Sequence, residues 1–61
     1  MPGSNITKLA LAGSLKKLMA EKPFGKIGVG DIARDCGVTR TTFYYHFKDK
    51  YDLMNWIYYT E

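Results

Sequence analysis

The sequence predicts an all-α fold, a small three-helix helix-turn-helix domain with a truncated fourth helix. Three observations carry that expectation. Apolar residues recur at three- and four-residue spacing in successive segments, as amphipathic helices require. A glycine followed at once by a fresh cap signal, Gly37-Val38-Thr39, joins two of those segments through a short turn. The chain of 61 residues holds one cysteine and one histidine, so neither an internal disulfide nor a structural zinc site can staple it. A chain this short buries only about 60% of its unfolded surface. Its stability must therefore come from helix packing.

The first helix is expected to start with Ser4 or Asn5 as its cap and to run to about Glu21. Leu11, Leu15, Leu18 and Met19 form its apolar stripe, and Lys16 and Lys17 fall outside it. Pro23 ends it, because the residue before a proline resists the α conformation. Residues 1–5 read as a disordered N-terminal segment or tag remnant, and residues 6–61 as the folded domain.

PFGKIGVG follows, with three glycines in six residues, and reads as a loop anchored by Phe24 and Ile27. A second helix begins near Val29 and places Val29, Ile32, Ala33 and Cys36 on one face. Cys36 is expected to be a small core residue. Gly37 then suits the left-handed conformation at a helix C-terminus. Thr39 caps a third helix, with Val38 before the cap and Phe43 four positions past it, the spacing of a hydrophobic staple. Phe43 and Phe47 lie one turn apart as its buried stripe. Lys48-Asp49 marks a break. A fourth helix runs from about Lys50 with Leu53, Met54, Trp56 and Ile57 as its apolar positions, and it reaches the last residue without a stop signal.

Composition narrows the function. Nine Lys/Arg against six Asp/Glu leave a net charge of +3, which permits a polyanionic partner without requiring one. The apolar fraction of 46% and aromatic fraction of 15% fit a folded globule rather than a disordered tail. No apolar run approaches the roughly 18 residues of a membrane span, and no secretory leader is visible. The single cysteine fits a reducing compartment, and a cytoplasmic location is expected. No carboxylate pair, no nucleophile poised beside a base and no phosphate loop is present. An enzyme is not expected, and neither is a cofactor or a metal.

The third helix carries the chemistry. With Phe43 and Phe47 turned inward, Arg40, Thr41 and Thr42 form the exposed first turn, and Tyr44, Tyr45 and His46 flank the buried stripe. Hydroxyl and imidazole donors can bind phosphate oxygens, and Arg is the commonest reader of guanine edges in the major groove. The amino end of the helix adds free N–H groups suited to phosphate, and Lys50 can reinforce such a contact. Each of these residues also has an ordinary reading, as a wet helix flank or a satisfied surface polar group. Their concentration on one short helix is what favours DNA.

Residues 27–53, IGVGDIARDCGVTRTTFYYHFKDKYDL, resemble the DNA-binding domain of the TetR family of transcriptional repressors. The resemblance rests on PF, GVGDIA, CGVT and RTTFYYHFKDK, and extends over about residues 9–59. It implies that Tyr44, His46 and Lys50 contact phosphate, and that Arg40, Thr41 and Tyr45 face base edges. Thr42 would touch phosphate or a base edge. Thr39 would cap the helix and reach the backbone. Ile32, Ala33, Val38, Phe43 and Phe47 would be core. Gly28 stands where the family usually has Thr, and Gly30 where a long polar side chain often reaches DNA, so weaker contact from the second helix is expected. The family continues into a helical domain that binds an inducer and forms the dimer. The present sequence therefore implies no ligand pocket, a weak or absent homodimer, and binding to one half-site of a palindromic operator. Trp56, Ile57, Tyr58 and Tyr59 are expected to be exposed, facing that further domain or pairing chains. The alternative is a helical interaction module that docks a protein through the aromatic fourth helix.

Overall fold

The computed structural model describes residues 3–60, with side chains from residue 5. Four α-helices follow in order: α1 (Gly3–Met19), α2 (Val29–Cys36), α3 (Arg40–His46) and α4 (Lys50–Thr60). A short 3₁₀ turn, Phe24–Lys26, interrupts the connection between α1 and α2. The fold is the expected all-α helix-turn-helix architecture. No described helix is long and apolar enough to cross a membrane.

α1 is the central post, packing against α2, α3 and α4, while α2 also packs against α3. Leu11 and Leu15 are fully buried on its inner stripe, and Leu18 packs partly buried beside them. Met19 leaves the stripe and is exposed, because the helix ends there and the chain turns through Glu21 and Lys22, whose N–H groups both donate to the Leu18 carbonyl. The helix therefore stops two residues short of Glu21. It also includes Gly3, ahead of the cap expected at Ser4 or Asn5. Met1 and Pro2 lie outside the described residues, as does the Ser4 side chain.

The junction of α2 and α3 is set by three residues. Gly37 adopts φ +84°, the left-handed region that β-carbons oppose. Its N–H donates to the carbonyls of Ala33 and Arg34, and the N–H of Val38 donates back to Ala33 at 2.9 Å. This closed pair of bonds is a Schellman motif. Thr39 then restarts the helix. Its Oγ1 accepts from the Thr42 N–H at 3.2 Å, satisfying a donor that has no partner within the helix.

The core gathers Leu11, Ala12, Leu15, Ile27, Ile32, Phe43, Phe47, Leu53 and Ile57. Phe43 and Phe47 touch with ring centroids 5.9 Å apart. Trp56 packs half-buried edge-on to Phe47, also at 5.9 Å. The expected exposure of Trp56 and Ile57 is therefore corrected: Ile57 is core and Trp56 half-buried, because α4 turns this face onto α1 and the end of α3. Tyr58 and Tyr59 are exposed, at 76% and 89%.

The Lys48-Asp49 break also starts α4. Asp49 Oδ1 accepts from the Asp52 N–H at 2.8 Å, and Asp52 Oδ2 accepts from the Lys48 N–H at 3.0 Å. Asp49 is thus the cap of α4. Ion pairs tie the outside together. Lys17 reaches from α1 to Asp35 on α2 at 3.0 Å, and Asp31 holds Arg34 at 2.9 Å and Lys22 at 3.6 Å.

Candidate nucleic-acid interface

α3 is seven residues long and is held from beneath. Phe43 is fully buried and Phe47, its C-terminal flanking residue, is 4% exposed. The remaining residues of the helix must face sideways or outward. Arg40 and Thr41 are exposed on the first turn, Tyr45 stands 83% exposed, and Tyr44 is 54% exposed. Tyr44 sets its ring edge-on to Phe43 at 5.5 Å while more than half of the residue stays exposed. His46 is half-buried, and its ring meets Tyr45 edge-on at 5.1 Å. His46 also lines an open groove shared with Lys8, Phe47, Asp52, Asn55, Trp56 and Tyr59, where Lys8 and Asp52 bring opposite charges.

The threonines divide their work. Thr39 and Thr42 share a hydroxyl–hydroxyl hydrogen bond of 3.2 Å beside the cap. Thr41 makes no such bond among the described residues and is exposed. Arg40 and Lys48 form no ion pair among the described residues, so their charges are available to a partner.

Lys50 is placed differently from the other predicted residues. Its ammonium donates to the carbonyls of Phe24 at 2.8 Å and Ile27 at 2.7 Å, and lies 4.5 Å from the centre of the Phe24 ring. Two of its three N–H donors are thereby committed to the loop before α2. The sequence showed a lysine in the right register, but it could not show that two loop carbonyls would converge on it.

At the amino end of α2, Gly28 has extended backbone and no side chain with which to cap. The Asp31 carboxylate supplies only the reciprocal half of a capping box, accepting from the Gly28 N–H at 3.0 Å. That bond, then the hydrogen bond from Arg34, then the charge of Lys22, hold the Asp31 carboxyl below its usual range. Asp35 is likewise lowered, first by the Lys17 hydrogen bond and then by that of the buried Ser14 hydroxyl. Gly30 opens the space in which the Arg40 side chain lies, a contact not foreseen from the sequence.

Residues 14–57 match the family described as bacterial regulatory proteins, tetR family. The chain belongs to the tetR family. It is 34% identical over 58 residues to the HTH-type dhaKLM operon transcriptional activator DhaS of Lactococcus lactis, covering 95% of this chain and 31% of that protein. It is 33% identical over 49 residues to the HTH-type transcriptional regulator EthR of Mycobacterium tuberculosis, covering 80% of this chain and 23% of that one. A third tetR-type relative, the HTH-type transcriptional regulator AcrR of Shigella flexneri, is 41% identical over 39 residues, 64% of this chain and 18% of the relative. The chain thus spans less than a third of the length of these relatives.

Proposed function

We propose that this tetR-family chain is a sequence-specific DNA-binding module of a transcriptional regulator, with α3 as the helix that enters the major groove. One observation carries the reading. Phe43 and Phe47 bury the underside of α3 while Arg40, Thr41, Tyr44 and Tyr45 are all exposed on its other faces. A surface of donors and aromatic edges on one short, rigid cylinder suits base edges flanked by phosphates. Arg40, Thr41 and Tyr45 take the base edges, and Thr39, Thr42, Tyr44 and His46 the phosphates. Lys50 adds its third N–H to the phosphate side. The partner is double-stranded DNA, and one chain meets one half-site of a palindromic operator. The relatives include a named activator, and nothing on α3 encodes the direction of regulation.

Fluorescence anisotropy with a labelled duplex tests this. Affinity should fall steeply as salt rises, since phosphate contacts release counterions. Arg40→Ala should cost roughly 1–3 kcal/mol of discrimination at one base pair. Binding insensitive to salt, or equal preference for every duplex before and after Arg40→Ala, would overturn the reading.

A further inference from the structure

Arg40 opens α3, yet its guanidinium lies against the neighbouring helix. A Cβ built on Gly30 would stand 3.0 Å from Arg40 Nη2, 3.1 Å from Nε and 3.5 Å from Cζ. Near-equal distances to the two nitrogens and a longer one to the carbon between them describe an approach in the guanidinium plane. The Nε/Nη2 edge therefore faces Gly30, on the first turn of α2, and the Nη1/Nη2 end is directed away from it. A β-carbon at position 30 would crowd this edge, so that the neighbouring atoms would have to give by a few tenths of an ångström. Real β-carbons rarely come so close to another heavy atom, and the atoms that must yield are the far end of an exposed, flexible side chain. The arginine would move, and the backbone would not.

We propose that Gly30 and Arg40 form a specificity pair, in which the missing side chain on α2 sets the direction in which the α3 arginine presents its outer edge to a base pair. Gly30 is the positioning residue and Arg40 the contacting one. The pair rests on the DNA-binding reading above. Its physical logic is that a guanidinium recognises guanine through two parallel N–H bonds, so the orientation of the fork, and not merely its charge, decides which base is read.

The pair separates stability from recognition. Gly30 lies inside α2, where alanine is the better helix former. Gly30→Ala should therefore leave the thermal midpoint equal to that of the wild type or above it. A residue that mattered only for folding would move stability and recognition together.

The experiment is competition binding by the 61-residue chain over duplexes varied one base pair at a time. It compares the wild type, Gly30→Ala, Arg40→Ala and the double variant. The wild type should discriminate at the position read by Arg40 by roughly 5- to 150-fold, the worth of one good bidentate contact. Arg40→Ala should abolish that preference. Gly30→Ala should reduce it several-fold or shift it to an adjacent base pair, and should change nothing further once Arg40 is gone. A second readout needs no DNA: the Arg40 Nε–Hε resonance of the free protein should move in Gly30→Ala. Wild-type discrimination retained in Gly30→Ala, a Gly30→Ala effect that persists without Arg40, or an unmoved Nε–Hε resonance would each overturn the pair while the DNA reading stands. A wild type that binds no duplex, or binds all duplexes alike, would overturn both.

Discussion

The ammonium of Lys50, the first residue of α4, lies 2.7 Å from the carbonyl oxygen of Ile27, a fully buried residue at the end of the α1–α2 connection. A second bond to Phe24 O and the Phe24 ring face complete its surroundings. The lysine therefore fastens the loop that delivers α2 to the helix that follows α3. Hydrogen bonds to a charged group contribute about 1.5–3 kcal/mol. Lys50→Met should lower stability by about 2 kcal/mol, or about 10 °C in thermal midpoint for a domain of this size. Circular dichroism melting would check it. A side chain that served only phosphate would leave the melt unchanged.

The turn between α2 and α3 gives a second test. Gly37→Ala forces a β-carbon into left-handed backbone, at about 1–2 kcal/mol. Thr39→Ala removes the oxygen that accepts from Thr42 N–H and should cost about 0.5–2 kcal/mol. Thr39→Ser keeps that oxygen and should recover most of the loss. Urea denaturation of the three variants resolves these differences, and equal stability of Thr39→Ala and Thr39→Ser would contradict the capping role.

Neighbours on α3 should behave oppositely. Phe43→Ala empties a fully buried site and should cost about 3–5 kcal/mol, close to the whole stability expected of so small a domain. Tyr45→Ala removes a ring that is 83% exposed and should change stability by less than about 0.5 kcal/mol. Far-ultraviolet circular dichroism at room temperature should show the first variant largely unfolded and the second native.

Acid should weaken the fold through α2. Asp31 and Asp35 both titrate below the ordinary aspartate range, Asp31 through the Gly28 N–H and Asp35 through Lys17. The folded chain then holds fewer protons than the unfolded chain in this range, so stability rises with pH across it. The contribution is complete above the unfolded value of about 4 and disappears as pH falls through the lower folded values. Lys17 mirrors this at the alkaline end. The Asp35 hydrogen bond raises its value, so its contribution is complete below the ordinary lysine value of about 10.4 and fades as pH climbs past it. Thermal midpoints across the pH range should drop below about pH 4, and less steeply in Asp35→Asn. A midpoint indifferent to acid would contradict the role of these carboxylates.

Much of this is legible in the sequence because it depends on neighbours along the chain. Gly37 before Val38-Thr39, and Phe43 one turn before Phe47, are local signals, and the folded chain uses them as expected. Leu11 and Leu15 follow from helical periodicity alone. The misplacements have a different origin. Met19 satisfies the period but falls where the helix ends. Ile57 and Trp56 look like a surface awaiting a partner until α1 is known to lie beneath them. Lys50 matches a phosphate-binding register, yet loop carbonyls more than twenty positions earlier in the chain claim two of its protons. Gly30 and Arg40 are ten positions apart and meet only because the turn folds α3 back across α2. Local spacing encodes caps and stripes, whereas the destination of a long charged side chain depends on which segments come to lie beside it.

The depth of Phe43 has one more consequence. Because α3 is anchored from its inner side, the letters on its outer side are largely free of the duty to keep the protein folded. A seven-residue rod fastened in this way works like an interchangeable key blank: its teeth can be recut by mutation, one cut at a time, while the lock body that grips the shank stays as it was.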